Sequence, residues 1–168
     1  MVLGMSLATF TLLHVVISLV GIFAGLVAMV GLLKSNTMRG WTALFLVTTI
    51  LTSATGFLFP FEKLLPSHIV GILSLVLLAI ACLALYGQKL AGPWRWIYVV
   101  TAMISLYLNV FVLVIQSFLK IAPLHVLAPS VPPSEPPFAV VQGVVLVFFF
   151  VVTIFAVRKF RPLPGSFA

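Results

Sequence analysis

Apolar positions along this chain fall into five long blocks, without the period-two alternation of a half-buried strand. The blocks run from about Leu7 to Leu33, Trp41 to Phe59, Ile69 to Gln88, Trp96 to Leu119 and Phe138 to Val157. Each approaches or exceeds the roughly 20 residues that a bilayer's hydrocarbon core requires of a helix. Each is bounded by charge, Pro or Gly, the usual marks of a helix end. Backbone in lipid must satisfy its own hydrogen bonds, so every block is predicted to be helical. The expected architecture is an all-α integral membrane protein, a single transmembrane domain over residues 1–168 built as a five-helix bundle. A four-span arrangement would leave Phe138–Val157 on the membrane surface, and that segment has no polar face.

Charge orients the bundle. Lys34, Arg39, Lys89, Arg95, Arg158, Lys159 and Arg161, seven of the nine basic residues, fall at one end of the five expected spans. Lys63 and Lys120 fall at the other, together with both acids, Glu62 and Glu135. The positive-inside rule then predicts an outer N-terminus and a cytoplasmic C-terminus. Trp41, Trp94, Trp96 and Tyr98 gather at the expected cytoplasmic boundary, where an aromatic belt belongs.

Composition narrows the function classes. Of 168 residues, 63% are hydrophobic and 7% charged, against about 25% charged in a soluble protein. A soluble enzyme, a nucleic-acid-binding domain and a disordered tail are excluded, and the net charge of +7 reads as membrane sidedness. The single cysteine, Cys82, excludes an intramolecular disulfide and any multi-cysteine zinc or iron–sulfur site. The N-terminus lacks a basic n-region and its apolar block is too long for an h-region, so no cleavable signal peptide is expected.

Small and polar residues mark the helix faces turned toward other helices. In the first span His14, Ser18, Gly21, Gly25 and Ala28 form one stripe, with Gly21 and Gly25 set for close backbone approach. In the second, Thr48, Thr49, Thr52, Ser53, Thr55 and Gly56 make a broad polar face that reads mainly as packing glue. In the fourth, Tyr98, Thr101, Ser105, Asn109, Gln116 and Lys120 lie near one face. Asn109 falls near mid-membrane and needs partners there, either in an interhelical hydrogen bond or with Gln116 along a cavity.

All three histidines and both acids map to the outer half. His14 and His68 lie near the outer boundary, His125 just beyond the fourth span, Glu62 before the third and Glu135 before the fifth. Gln116, Lys120 and Gln142 sit at similar depth. Three imidazoles and a carboxylate could hold zinc, copper or iron, so His14, His68, His125, Glu62 and Glu135 are the candidate metal ligands. His14 and His68 could instead face each other across a haem, or join Asn109 and Gln116 around a quinone. No spaced ligand motif accompanies them. The competing reading is ordinary interfacial histidines reaching for water. The outer loop, about Ile121 to Pro137, carries six prolines and is expected to be semi-rigid and polyproline-like. It is either a lid presenting His125 and Glu135 or a stiff connector.

The run Tyr107–Leu108–Asn109–Val110–Phe111, followed by Gln116, Lys120, Leu127–Ala128–Pro129 and Glu135–Pro136–Pro137–Phe138, resembles small uncharacterised bacterial inner-membrane proteins. The first-span run from Leu13 to Gly21 resembles the same group. The resemblance covers most of the chain and implies a multi-pass protein of the bacterial cytoplasmic membrane. It implies no activity and no site residues.

Three function classes remain. The first is a non-catalytic binding or accessory component that meets lipid, other membrane subunits or a second copy of itself. The second is a metal-, haem- or quinone-binding protein built on the outer His/Glu set. The third is a small-solute transporter with a polar path through Gln116, Asn109, Ser105 and Thr101. The absence of internal repeats and of Pro within a span counts against the third. An enzyme is disfavoured, because Ser18 lies one turn from His14 with no acid on that span to orient the imidazole.

Overall fold

The computed structural model describes residues 2, 4–60 and 66–162. Helix accounts for about 80% of the structure, and no strand occurs among the described residues. Helix α1 spans Leu7–Leu33, α2 Arg39–Gly56, α3 Pro66–Cys82, α4 Trp94–Lys120, α5 Ala122–Leu127 and α6 Pro136–Lys159. A π-helical turn, Leu83–Gly87, extends α3. The first helix starts where Ser6 accepts the backbone N–H of Thr9 at 3.1 Å, satisfying one of the donors left open at a helix start. Its end folds back tightly. The Asn36 N–H bonds the Gly31 carbonyl at 2.9 Å, and a Cβ on Gly31 would lie 2.7 Å from the Asn36 carbonyl oxygen. Only glycine fits there.

Among the described residues, four helical stretches are long and apolar enough to cross a membrane: Leu7–Leu33, His68–Gly87, Trp94–Lys120 and Pro136–Lys159. The least apolar long helix is α2, because its Thr and Ser residues dilute the hydropathy of an 18-residue segment. Those hydroxyls face inward. Thr48, Thr49 and Thr52 are buried, and the first two pack on Gly21 of α1. The last long helix is the opposite case, apolar nearly all round, with only Gln142, Phe149 and Ala156 buried.

Helices α1 to α4 close a ring, each packed on the next and α4 returning to α1. Outside it, α6 lies against α4 and α1. The half of the ring nearest the basic end is filled by Ala24, Phe45, Leu46, Leu78, Val99, Met103 and Leu106. At Gly25 the packing is closest, since a Cβ there would meet Leu106 Cδ1 at 2.5 Å and Phe45 Cδ2 at 2.8 Å. The basic end is also tied together by hydrogen bonds. Arg95, in the first turn of α4, donates Nη1–H to the carbonyls of Val157 and Phe160 at the end of α6. The Arg161 N–H bonds Ser35 Oγ at 2.7 Å.

Three local expectations change. The loop after α4 is helical over Ala122–Leu127, because Pro123 sits at the start of that helix, where no N–H donor is needed. The third block ends as a π-helical turn followed by left-handed Lys89 and Leu90. Tyr98 is a core residue, 2% exposed, whereas Trp41 and Trp96 do lie on the surface.

Candidate functional site: a polar cleft inside the helix ring

Above the apolar fill, toward the end where α1 begins, the ring holds a cleft of about 90 Å³. Each of the four helices lends it a polar or small residue: His14 from α1, Thr52, Ser53 and Gly56 from α2, Gly71 and Ser74 from α3, and Asn109 from α4. Val70, Leu108 and Val112 complete the wall. Helical spacing explains the convergence. His14 continues the small-residue stripe of Gly21 and Gly25, while Asn109 continues the face of Thr101 and Ser105. Where Gly25 lets α1 close on its neighbours, the cavity is sealed; three turns earlier, at His14, polar side chains leave space.

The hydrogen bonds define what the cleft offers. His14 Nδ1 lies 2.8 Å from Thr55 Oγ1. The Thr55 hydroxyl donates to the Leu51 carbonyl at 2.7 Å, so it must accept from His14. The neutral imidazole therefore carries its proton on Nδ1 and keeps a lone pair on Nε2. Phe59 packs on the ring edge-on, with centroids 5.1 Å apart. Ser53 donates to Ser74 at 3.1 Å across α2 and α3. By contrast, Asn109 Nδ2 and Thr52 Oγ1 are buried with no partner. Thr49 Oγ1, one turn below Thr52, is likewise without one.

The other sequence candidates lie elsewhere. His68 is buried at the start of α3, its ring 5.6 Å from that of Phe57. His14 and His68 thus pack on different aromatic rings, Phe59 and Phe57. Gln116 shares a helical face with Asn109 but is exposed. His125 sits on α5 with a buried, unpartnered Nδ1. Glu135 caps the loop before α6. Its carboxylate accepts from Ser130 Oγ and N and from the Ser134 N–H at 3.0 Å. The Ser130 hydroxyl, then the Ser134 amide, pull its pKa down to about 2. Glu62 lies outside the described residues. Among the described residues, no group of three or more His, Cys, Asp or Glu side chains is placed to hold a metal ion.

Ser105 and Thr101, the inner members of the expected polar path, bond carbonyls of their own helix at 2.8 Å. Sequence reasoning singled out His14 and Asn109 as candidates but not Thr52, which lines the cleft with them. The signal for Thr52 was present in the hydroxyl-rich face of α2, read there as glue. Gln142, placed by the sequence at the depth of Gln116 and Lys120, donates to the Phe111 carbonyl at 3.1 Å and so fixes α6 to α4.

Fold and cleft together define a helical membrane protein with a small polar cavity inside its helix ring. No family model, curated protein or solved structure matches the chain.

Proposed function

We propose that this chain is a five-span protein of the bacterial inner membrane, N-terminus outside and C-terminus inside, with a non-catalytic binding or accessory role exercised through the polar cleft. One observation carries the binding role: Asn109 and Thr52, each with a buried polar atom that has no partner, line the same cavity. Each such group destabilises a fold by about 1–3 kcal/mol unless something hydrogen-bonds to it. Room for about three waters, at roughly 30 Å³ each, supplies a place for that something. The cleft is far below the roughly 300–1,000 Å³ of drug-sized pockets, which weighs against a fully enclosed haem. The apolar fill around Phe45 and Leu106 weighs against a solute path through the ring.

The fifth crossing rests on α2. Its 18 residues span about 27 Å, close to the roughly 30 Å hydrocarbon core. Its hydroxyls point at α1 and into the cleft, so lipid meets little of its polarity. The orientation is supported by Arg95 and Arg161, which join the basic ends of α1, α4 and α6.

Single cysteines in a Cys82→Ser background test the topology. Cysteines at Ser6 and Ser130 should react with an impermeant reagent from outside, and one at Ser35 only from inside. The binding role is tested by purification in mild detergent without chelator, followed by absorption, metal analysis and native mass spectrometry. The expected protein is colourless and metal-free and carries a small molecule that Asn109→Leu loses. A haem band, or stoichiometric metal, lost in both His14→Ala and His68→Ala would overturn this reading in favour of cofactor handling.

A further inference from the structure

We infer that the cleft takes an uncharged hydrogen-bonding head group on an apolar body, such as a quinone ring edge or the glycerol end of a neutral glyceride. The inference rests on the binding role proposed above and deepens it. Its warrant is what lines the cavity. None of its lining residues, among them His14, Thr52, Ser53, Ser74 and Asn109, is an acid, a lysine or an arginine. A phosphate, carboxylate or ammonium brought here would lose its hydration with no counter-charge in the lining to replace it, the nearest cation acting on the cleft being Lys120, which reaches His14 from outside the lining. A metal ion would find one imidazole lone pair and no second His, Cys or acidic ligand in the lining.

A neutral group finds matched partners. The Asn109 carboxamide N–H and the Thr52 hydroxyl, both unpartnered, can donate to a carbonyl or ether oxygen. His14, held as the Nδ1–H tautomer by Thr55, presents a lone pair that accepts from a hydroxyl. Donors and acceptor come from α4, α2 and α1, so one oxygen-bearing edge would join three helices. Val70, Leu108 and Val112 form an apolar rim for the carbon skeleton. The volume admits a head group edge and leaves the bulk of an amphiphile outside the ring.

The full chain in detergent micelles is titrated with three probes: a decyl-substituted benzoquinone, dioctanoylglycerol and dioctanoyl phosphatidic acid. The thermal unfolding midpoint is followed in wild type, Asn109→Leu and Thr52→Val. At least one neutral probe should raise the midpoint saturably, and the phosphatidic acid should not. Each substitution should weaken the apparent affinity by about tenfold, the factor expected for one lost buried hydrogen bond. Which neutral probe acts identifies the head group as quinone or glyceride. A neutral shift that both variants retain overturns the inference, because the probe then binds elsewhere. A phosphatidic acid shift that both variants lose also overturns it, while leaving the cleft as a binding site. If no probe shifts the wild type, the inference falls. If the two apolar variants are then at least as stable as wild type and carry the same bound molecules, the binding role falls with it.

Discussion

Substitution of Gly25 by Ala measures how tightly the ring is closed beneath the cleft. The added Cβ would lie 2.5 Å from Leu106 Cδ1, 2.8 Å from Phe45 Cδ2 and 3.0 Å from Phe45 Cε2. Leu106 is 1% exposed and Phe45 3%, so neither side chain has free space to retreat into. The Phe45 ring is rigid and cannot yield locally. Either α1 moves off its neighbours or both side chains leave their preferred rotamers, and overpacking of this kind costs about 1–3 kcal/mol. Gly143→Ala is the internal control. Nothing lies within 4 Å of a Cβ at that exposed α6 position, and replacing a helical Gly by Ala there is neutral or stabilising by up to about 1 kcal/mol. Both variants are compared by reversible SDS unfolding in mixed micelles, with far-UV circular dichroism as the readout. A Gly25→Ala protein no less stable than Gly143→Ala would refute the close approach of α1 to α2 and α4. It would also reopen the possibility of a continuous path through the ring.

Three further outcomes follow from single contacts. Arg95→Ala removes charged hydrogen bonds to two carbonyls at the end of α6; it should destabilise by about 1.5–3 kcal/mol and speed hydrogen exchange around Phe160, and unchanged exchange there would contradict the tie. A double-mutant cycle between His14→Phe and Thr55→Val should yield a coupling near 0.6 kcal/mol, the average for interhelical bonds in membranes; zero coupling would remove the basis for the Nδ1–H tautomer. Glu135 is held at a pKa of about 2 in the folded chain, below its ordinary 4.5; a depressed acid stabilises above its unfolded pKa and loses that contribution as pH falls through the folded one. Protection of the Ser130 and Ser134 amides should therefore decline between about pH 4.5 and 2 in wild type, and Glu135→Gln should show no such step.

The helical character of the apolar blocks, four of them long and apolar enough to cross a membrane among the described residues, and the His14–Gly21–Gly25 stripe were legible because each is a local pattern. A helix in lipid must be long and apolar, and small residues at steps of three and four share a face. These follow from composition and period alone. The α5 turn was not legible, since six prolines argue against helix in general while one proline at a first turn does not. The same limit explains Glu135. Its sequence position suggested a ligand, yet Ser130 and Ser134 fold back onto its carboxylate, a contact set by the loop's path.

Gln116 and Asn109 are equivalent by helical angle, and the sequence separates them only by depth. What separates them in the structure is their surroundings: Asn109 lines the cleft and Gln116 is exposed, a matter of which neighbouring helices lie beside each. Thr52 became a site residue for the same reason, because its hydroxyl gains meaning only opposite Asn109 and His14, on helices distant in sequence. The sequence by itself determined that this is a helical membrane protein and which helix faces turn inward. The tertiary structure alone decided which inward polar atoms meet, because pairing between helices depends on register and close approach, and neither is written in any one segment.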